Sequence, residues 1–385
     1  MTPAKPRASL IDIVDPRLSP TASKRRLEEL ESLTKTYGGI IVVSVMQKRS
    51  VPDYRTYIGA GKVDELIELA KTEHVDVLIV NNLLKPKQLY EIEERFRKAK
   101  YPIKAWDRVD LILKIFDLHA KTSEAKLQIK KAAIQHIGPR IFGLGLELMQ
   151  QAGGTGARGG QGETNTELMK RHLAKQLEHT NEELKRINAS RALHRHDRQR
   201  RGLQTVSVVG YTNAGKSTLV NALTKKGAYV ADALFATLDT HVGKLWLDRG
   251  DGSGLGDEIL ISDTIGFIQD LPPKLIEAFS STLDETVHAN ILIHVLDVSD
   301  KHHREKKREV EAILKQLGVL DTPRLLVLHK ADLLTERAKH ARLKQYTKAG
   351  AIIASSKSGE GIEAVKEAIR KAIQITNDPL LHQPK

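Results

Sequence analysis

The segment LQTVSVVGYTNAGKSTLVNAL, residues 203–223, admits very few folds. An alternating apolar stretch reads as a buried strand and an amphipathic stretch as a helix. Between them stand Gly210, Tyr211, Thr212, Asn213, Ala214, Gly215, Lys216, Ser217 and Thr218. Glycine, four residues, then Gly-Lys-Ser is the spacing of a phosphate-binding loop in its required strand-to-helix context. The loop's amides wrap phosphates and the positive end of the following helix adds to the attraction. Lys216 reaches the outer phosphates, and the Ser217 hydroxyl is a ligand for Mg²⁺. A chance glycine turn would not bring strand, lysine, hydroxyl and helix together.

Such a loop serves ATP and GTP alike, and the order of the motifs downstream separates them. FATLD brings Phe235 and Thr237, EILISDTIGF brings Asp263 and Gly266 after an apolar strand, LLVLHKAD brings His329, Lys330 and Asp332, and IIASSKSGEG brings Ser355, Ser356 and Lys357. That succession is a GTPase's: two switches, a base-reading loop, and a final loop against the base. Thr237 is expected to close on Mg²⁺ and the terminal phosphate, Asp263 to hold Mg²⁺ through water, and the Gly266 amide to sense the terminal phosphate. The metal set is then Ser217, Thr237 and Asp263, and the catalytic set Lys216, Thr237 and Gly266. Asp332 accepts from the two donors on guanine's Watson–Crick edge, where adenine offers an acceptor and would leave the carboxylate unmatched. Lys330 lays its stem along the base, and Ser355, Ser356 and Lys357 frame it.

Three positions qualify this scheme. Phe267 follows Gly266 where many GTPases place a glutamine that orients water, so slow intrinsic hydrolysis, stimulated by a partner that orders the switches, is expected. Asn213 is suited either to help hold a monovalent cation such as K⁺ beside the phosphates or merely to shape the loop. His329 stands where asparagine is usual. A neutral imidazole can donate one N–H to guanine's ring nitrogen, but it offers no second polar arm to brace the phosphate loop. Weaker nucleotide affinity and some pH dependence near neutrality are the expectations, and an ATP-using variant stays open.

The chain has 385 residues, enough for two or three domains. A Pro-rich leader over 1–20 reads as mobile, and 21–117 alternates strand and helix in the manner of a small α/β subdomain. Residues 118–201 form a long helical hairpin interrupted by the glycine-rich AGGTGARGGQGET, 202–376 hold the phosphate-loop domain, and 377–385 are a tail. The hairpin consumes its own apolar stripe, which favours a monomer. Sixty-one basic against 48 acidic residues give a net charge of +13, pointing to a polyanionic partner. Lys185, Arg186, Arg191, Arg195, Arg198, Arg200 and Arg201 crowd the end of the second long helix. They are either phosphate contacts or a solvated helix face. The absence of cysteine excludes disulfides and thiolate metal sites. No apolar run approaches the ~18 residues of a membrane span, and a cytoplasmic protein is expected.

Taken together, YIGAGKVDEL, WDRVDLILKIF, GGTGARGGQGET, GYTNAGKSTLVNALT, LFATLD, DTIGFIQDLPPKLIEAF and STLDET resemble the HflX-type ribosome-associated GTPases across most of the chain. The resemblance implies an N-terminal α/β subdomain and helical hairpin fused to a Ras-like domain, a mixed sheet with helices on both faces. It further implies binding of GTP or GDP and of the large ribosomal subunit with its RNA, in dissociation, rescue or assembly. A nucleotide-gated RNA-binding scaffold with negligible turnover is the alternative. Arg158 would be the charged contact of the glycine-rich loop, whose Arg-Gly-Gly-Gln-Gly-Glu lacks the family's usual proline. Ser356 stands where alanine is usual.

Overall fold

The structure, a computed structural model, describes residues 5–152, 165–224, 235, 241–248, 256–269, 275–276 and 280–376. It divides into two compact units, 1–118 with 126–184, and 119–125 with 185–385.

In the first unit four parallel strands, β1 (Arg7–Val14), β2 (Ile40–Lys48), β3 (Val77–Val80) and β4 (Lys104–Asp107), lie in the order β2-β1-β3-β4. Helices α1 (Pro20–Tyr37), α2 (Ala60–Thr72), α3 (Pro86–Lys98) and α4 (Arg108–His119) come after the strands in turn. Parallel neighbours need such crossovers. Local chemistry sets the limits of α1: the Ser19 side chain accepts from the Ala22 amide, Pro20 opens the first turn, and Gly38 ends the helix at φ 94°.

Of the leader expected over 1–20, the described residues 5–20 are therefore not mobile. Arg7–Val14 is an inner strand, paired with β2 on one side and β3 on the other, and all but its first residue are buried. Pro6 and Pro16 flank the strand without interrupting its ladder. Its partners lie far along the chain, and local composition does not reveal them. Asp12 is fully buried in β1 beside Arg26 of α1, 3.2 Å away.

Two long helices come next, α5 (Ser123–Ala152) and α6 (Asn165–Arg200). Their antiparallel course shows in two places: Arg191 meets Glu124 at 2.6 Å, and a Cβ on Gly138 would lie 3.9 Å from Leu173. Thr180, which breaks the apolar stripe of α6, is fully buried because its hydroxyl donates back to the Gln176 carbonyl at 2.7 Å. His136 of α5 contacts Asp107 and Asp110, at 3.1 and 3.5 Å, where β4 passes into α4. Arg158 and the glycine-rich loop lie outside the described residues.

The second unit holds a six-stranded sheet in the order β10-β9-β8-β5-β7-β6. Its strands are β5 (Thr205–Gly210), β6 (His241–Asp248), β7 (Gly256–Asp263), β8 (Ile291–Asp297), β9 (Arg324–His329) and β10 (Ile352–Ile353). β6 runs antiparallel to β7, and the other neighbours are parallel, so the sheet is mixed. The helices are α7 (Lys216–Thr224), α8 (Ser280–Val287), α9 (His303–Gln316), α10 (Glu336–Tyr346) and α11 (Ile362–Thr376). One core joins the sheet to α7 and α11 through Leu219, Leu223, Val365 and Ile369, and another joins it to α8 and α9 through Leu283, Val310 and Leu314. Helices thus cover both faces, as expected. The carboxyl ends of β5, β7, β8 and β9 open toward one edge, where doubly wound sheets bind ligands.

Candidate functional site

β5 ends at Gly210 and α7 begins at Lys216, with Asn213 at φ 59° and Gly215 at φ 94° in the turn between. Ser217 Oγ donates to Asp263 Oδ2 at 2.5 Å, joining the start of α7 to the end of β7. A hydroxyl and a carboxylate so placed form an all-oxygen donor pair of the kind Mg²⁺ prefers. Lys216, 6% exposed, donates from Nζ to the Tyr211 carbonyl at 2.9 Å. Burial pushes its ammonium down to about 8, with Asp263 acting the other way.

The Asp263–Gly266 segment is stitched directly onto the phosphate loop. Thr212 N donates to the Phe267 carbonyl at 2.7 Å, Phe267 N to the Gly210 carbonyl at 3.1 Å, and Gln269 N to Tyr211 Oη at 2.7 Å. Gly266 must lack a side chain here, because a Cβ would lie 2.7 Å from Thr212 Cγ2 and 2.9 Å from Lys216 Nζ. The Phe267 ring is buried in the core with Val209, Leu292 and Val310. Phe235 is buried at φ 59°, Ala214 is buried, Thr218 is half-buried on α7, and Asn213 is exposed in the turn. Thr237 lies outside the described residues.

On the base side, β9 ends at His329 and the chain turns through Lys330 at φ 60° into a short 3₁₀ turn carrying Asp332. Ser355 Oγ donates to Asp332 Oδ1 at 2.7 Å, and this hydrogen bond holds the Asp332 carboxyl below the usual range. Lys330 Nζ is 2.9 Å from Asp297 Oδ2 at the end of β8. Asp297 was not among the residues singled out from the sequence, although a carboxylate closing the apolar strand ILIHVLD was an available signal. Lys357 is exposed.

The His329 ring is 3% exposed and lies between two loops. Nε2 is 2.7 Å from Ser356 Oγ and accepts from the Ser356 amide at 3.3 Å. The other edge faces the phosphate loop, where a Cβ on Gly215 would lie 2.3 Å from Nδ1 and 2.5 Å from Cε1. The imidazole thus braces the phosphate loop by filling the space at Gly215, with no second polar arm required. Burial, the largest influence, lowers its pKa, and the Ala214 backbone opposes that. That direction favours the neutral ring and runs against the pH dependence expected near neutrality.

The basic end of α6 also divides. Arg195 is paired with Asp284 of α8, Arg198 with Glu285 at 2.9 Å, and Arg191 with Glu124 at 2.6 Å. These three are internal struts. Lys185, Arg186, Arg200 and Arg201 are exposed. No helix among the described residues is long and apolar enough to cross a membrane.

Comparison with known proteins matches this arrangement along the chain. Family models described as GTP-binding GTPase N-terminal, GTP-binding GTPase Middle Region and 50S ribosome-binding GTPase match residues 24–117, 119–198 and 205–330. The GTPase HflX of Caldanaerobacter subterraneus subsp. tengcongensis is 40% identical over 330 residues, covering 86% of this chain and 73% of the relative. That of Escherichia coli is 35% identical over 347 residues, 90% and 79% of the two chains. The crystal structure of the SsGBP and GDP complex aligns over 96% of this chain and 99% of its own, with a TM-score of 0.53 at 23% identity, a likeness of fold. With the Gly210–Ser217 loop, the Asp263–Gly266 segment and the Lys330–Asp332 turn at one sheet edge, and with these relatives matching 86–90% of this chain and 73–79% of their own length, the chain is a GTP-binding GTPase and belongs to the HflX family.

Proposed function

We propose that this GTPase binds the large ribosomal subunit and that its nucleotide state governs the association, in the dissociation, rescue or assembly of ribosomes in the cytoplasm. The observation that carries the nucleotide half is the Ser217–Asp263 contact at 2.5 Å, which joins the phosphate loop to the second switch. The family description "50S ribosome-binding GTPase" over residues 205–330 and the exposed Lys185, Arg186, Arg200 and Arg201 support the partner.

Lys216 carries positive charge to the outer phosphates, and Gly266 presents its amide where the terminal phosphate arrives. Ser217 and Asp263, together with Thr237, would hold Mg²⁺. When bound, the ion neutralises charge developing on the phosphoryl oxygens. Asp332 accepts from guanine, and Ser355 keeps that carboxylate ionised and aimed. Asn213 helps hold a monovalent cation, so turnover in potassium should exceed that in sodium, and equal rates would refute the assignment. Phe267 cannot position water, and hydrolysis therefore waits on the partner.

Cosedimentation with purified large subunits, in a non-hydrolysable GTP analogue and in GDP, tests the proposal together with single-turnover hydrolysis. The analogue should retain the protein on the particle, GDP should release it, and subunits should raise turnover at least about tenfold. Equal pelleting in both nucleotides would refute nucleotide control. Retention without stimulated turnover would favour the scaffold reading.

A further inference from the structure

We infer that this protein selects guanine through the Watson–Crick edge of the base and leaves N7 unread, because His329 is held as a strut between the phosphate loop and the loop of Ser356. The inference rests on Lys330–Asp332 being the base-reading turn and adds what the preceding residue does there.

An imidazole has few edges to offer. A neutral ring carries one N–H donor and one acceptor nitrogen, and guanine N7, itself an acceptor, can be read by a donor and nothing else. Nε2 of His329 is occupied by Ser356, at 2.7 Å from its Oγ and 3.3 Å from its amide nitrogen. Because Nε2 accepts the amide hydrogen, the ring proton sits on Nδ1. The edge formed by Nδ1 and Cε1 is pressed on Gly215, where even a methyl group would come within 2.3 and 2.5 Å. What remains is Cδ2, a carbon, whose C–H is a poor donor. The alternative tautomer changes nothing, since Nε2–H would then donate to Ser356 Oγ. Flipping the ring would put Cε1 where Ser356 needs a nitrogen, leaving a partly buried amide without its acceptor.

His329 and Ser356 are also the two base-loop positions at which this chain departs from the usual residues, and they touch each other. They act as one unit. The ring fills the hollow that a glycine leaves at position 215 and fixes the distance between two loops contacting opposite ends of the nucleotide. Asp332 then carries base selection, braced by Ser355. His329 is a positioning residue on this account.

Equilibrium binding of GDP, 7-deaza-GDP, IDP and ADP to the full-length protein tests the inference. 7-Deaza-GDP, which lacks the N7 acceptor, should bind within about twofold of GDP, whereas a lost hydrogen bond would weaken it about five- to tenfold. IDP, which lacks the 2-amino donor, should bind at least about tenfold more weakly. Ser356→Ala should weaken GDP and 7-deaza-GDP equally, because the strut slackens while no reader is lost. His329→Asn brings an amide with a spare N–H and should make 7-deaza-GDP distinctly weaker than GDP. A tenfold or greater preference for GDP over 7-deaza-GDP in the unaltered protein overturns the inference while leaving guanine selection intact. ADP binding as well as GDP would overturn the base-loop assignment beneath it.

Discussion

Arg198, in the last turn of α6, donates to Glu285 of α8 across 2.9 Å, and both side chains are largely buried. The helix it holds is itself seated on the sheet, since Thr286 Oγ1 lies 3.1 Å from Ser207 Oγ of β5 with both residues fully buried. The end of α6 is therefore tied to the helix that comes after the second switch.

Arg198 and Arg201 should consequently behave differently. Arg198→Ala leaves Glu285 with a poorly solvated charge and should destabilise the protein by about 2 kcal/mol in urea unfolding. It should leave the salt dependence of RNA binding unchanged. Arg201→Ala should alter stability by no more than about 0.5 kcal/mol but reduce the salt slope of RNA binding by about one. A reduced slope for Arg198→Ala would show that this arginine leaves Glu285 for a phosphate.

Lys216 should make nucleotide binding proton-linked. Its pKa in the empty protein is about 8, against 10.5 for an ordinary lysine. Between those values the unfolded chain binds more protons, so the empty protein gains stability as pH rises through that window. Phosphates favour the charged form, and binding must then take up protons where the empty site has lost them. At pH 9 most of a proton should enter with GDP, and at pH 6.5 almost none. Calorimetry in buffers of different ionisation heat measures this. Lys216→Ala should abolish the uptake, and uptake independent of pH would contradict the assignment.

Phe267→Gln restores the side chain that many GTPases place after the glycine, yet it should not restore fast hydrolysis. The ring fills core space among Val209, Leu292 and Val310. Its loss, with an amide left in apolar surroundings, should cost about 3–5 kcal/mol in unfolding experiments. Faster unstimulated turnover by a stably folded Phe267→Gln protein would mean that residue 267 swings out during catalysis.

His294, on β8, is fully buried, and both its ring nitrogens lack partners among the described residues. Burial pushes its pKa down to about 3 from 6.5. With the folded pKa depressed, the unfolded chain takes up the proton first, so stability is highest above pH 6.5 and declines as pH falls below it. At pH 5 this one residue should account for about 2 kcal/mol of the loss. His294→Leu should raise the melting temperature and flatten stability between pH 6.5 and 4. An unchanged acid limb would place the acid sensitivity elsewhere.

The residues that gather at this sheet edge were legible in the sequence as one proposed nucleotide site because its parts are short, local and ordered. A phosphate loop announces itself by glycine spacing between a strand and a helix, and Asp263, Asp332 and Ser355 each close or succeed an apolar run. Their roles needed no knowledge of which strands pair. Alternation of apolar runs likewise revealed β2, β3 and β4 and the helices between them. Thr237 and Arg158, also drawn from motifs, lie outside the described residues.

What tertiary structure decided were partnerships between residues remote along the chain. β1 was read as a leader because proline-flanked apolar stretches look alike until parallel pairing buries one of them. The arginines of α6 read as either phosphate contacts or a solvated face because charge density is visible in a sequence, whereas Asp284 and Glu285, which neutralise two of them, belong to another helix. His329 looked like a deficient base reader for the same reason. Its placement depends on Gly215 and Ser356, and only the fold sets the ring against the space at Gly215 and within 2.7 Å of the Ser356 hydroxyl. Sequence alone determined which chemistry the chain carries, since backbone spacing and side-chain type are local properties. The three-dimensional packing decided which charges and nitrogens remain available to a ligand, because availability depends on neighbours that folding supplies.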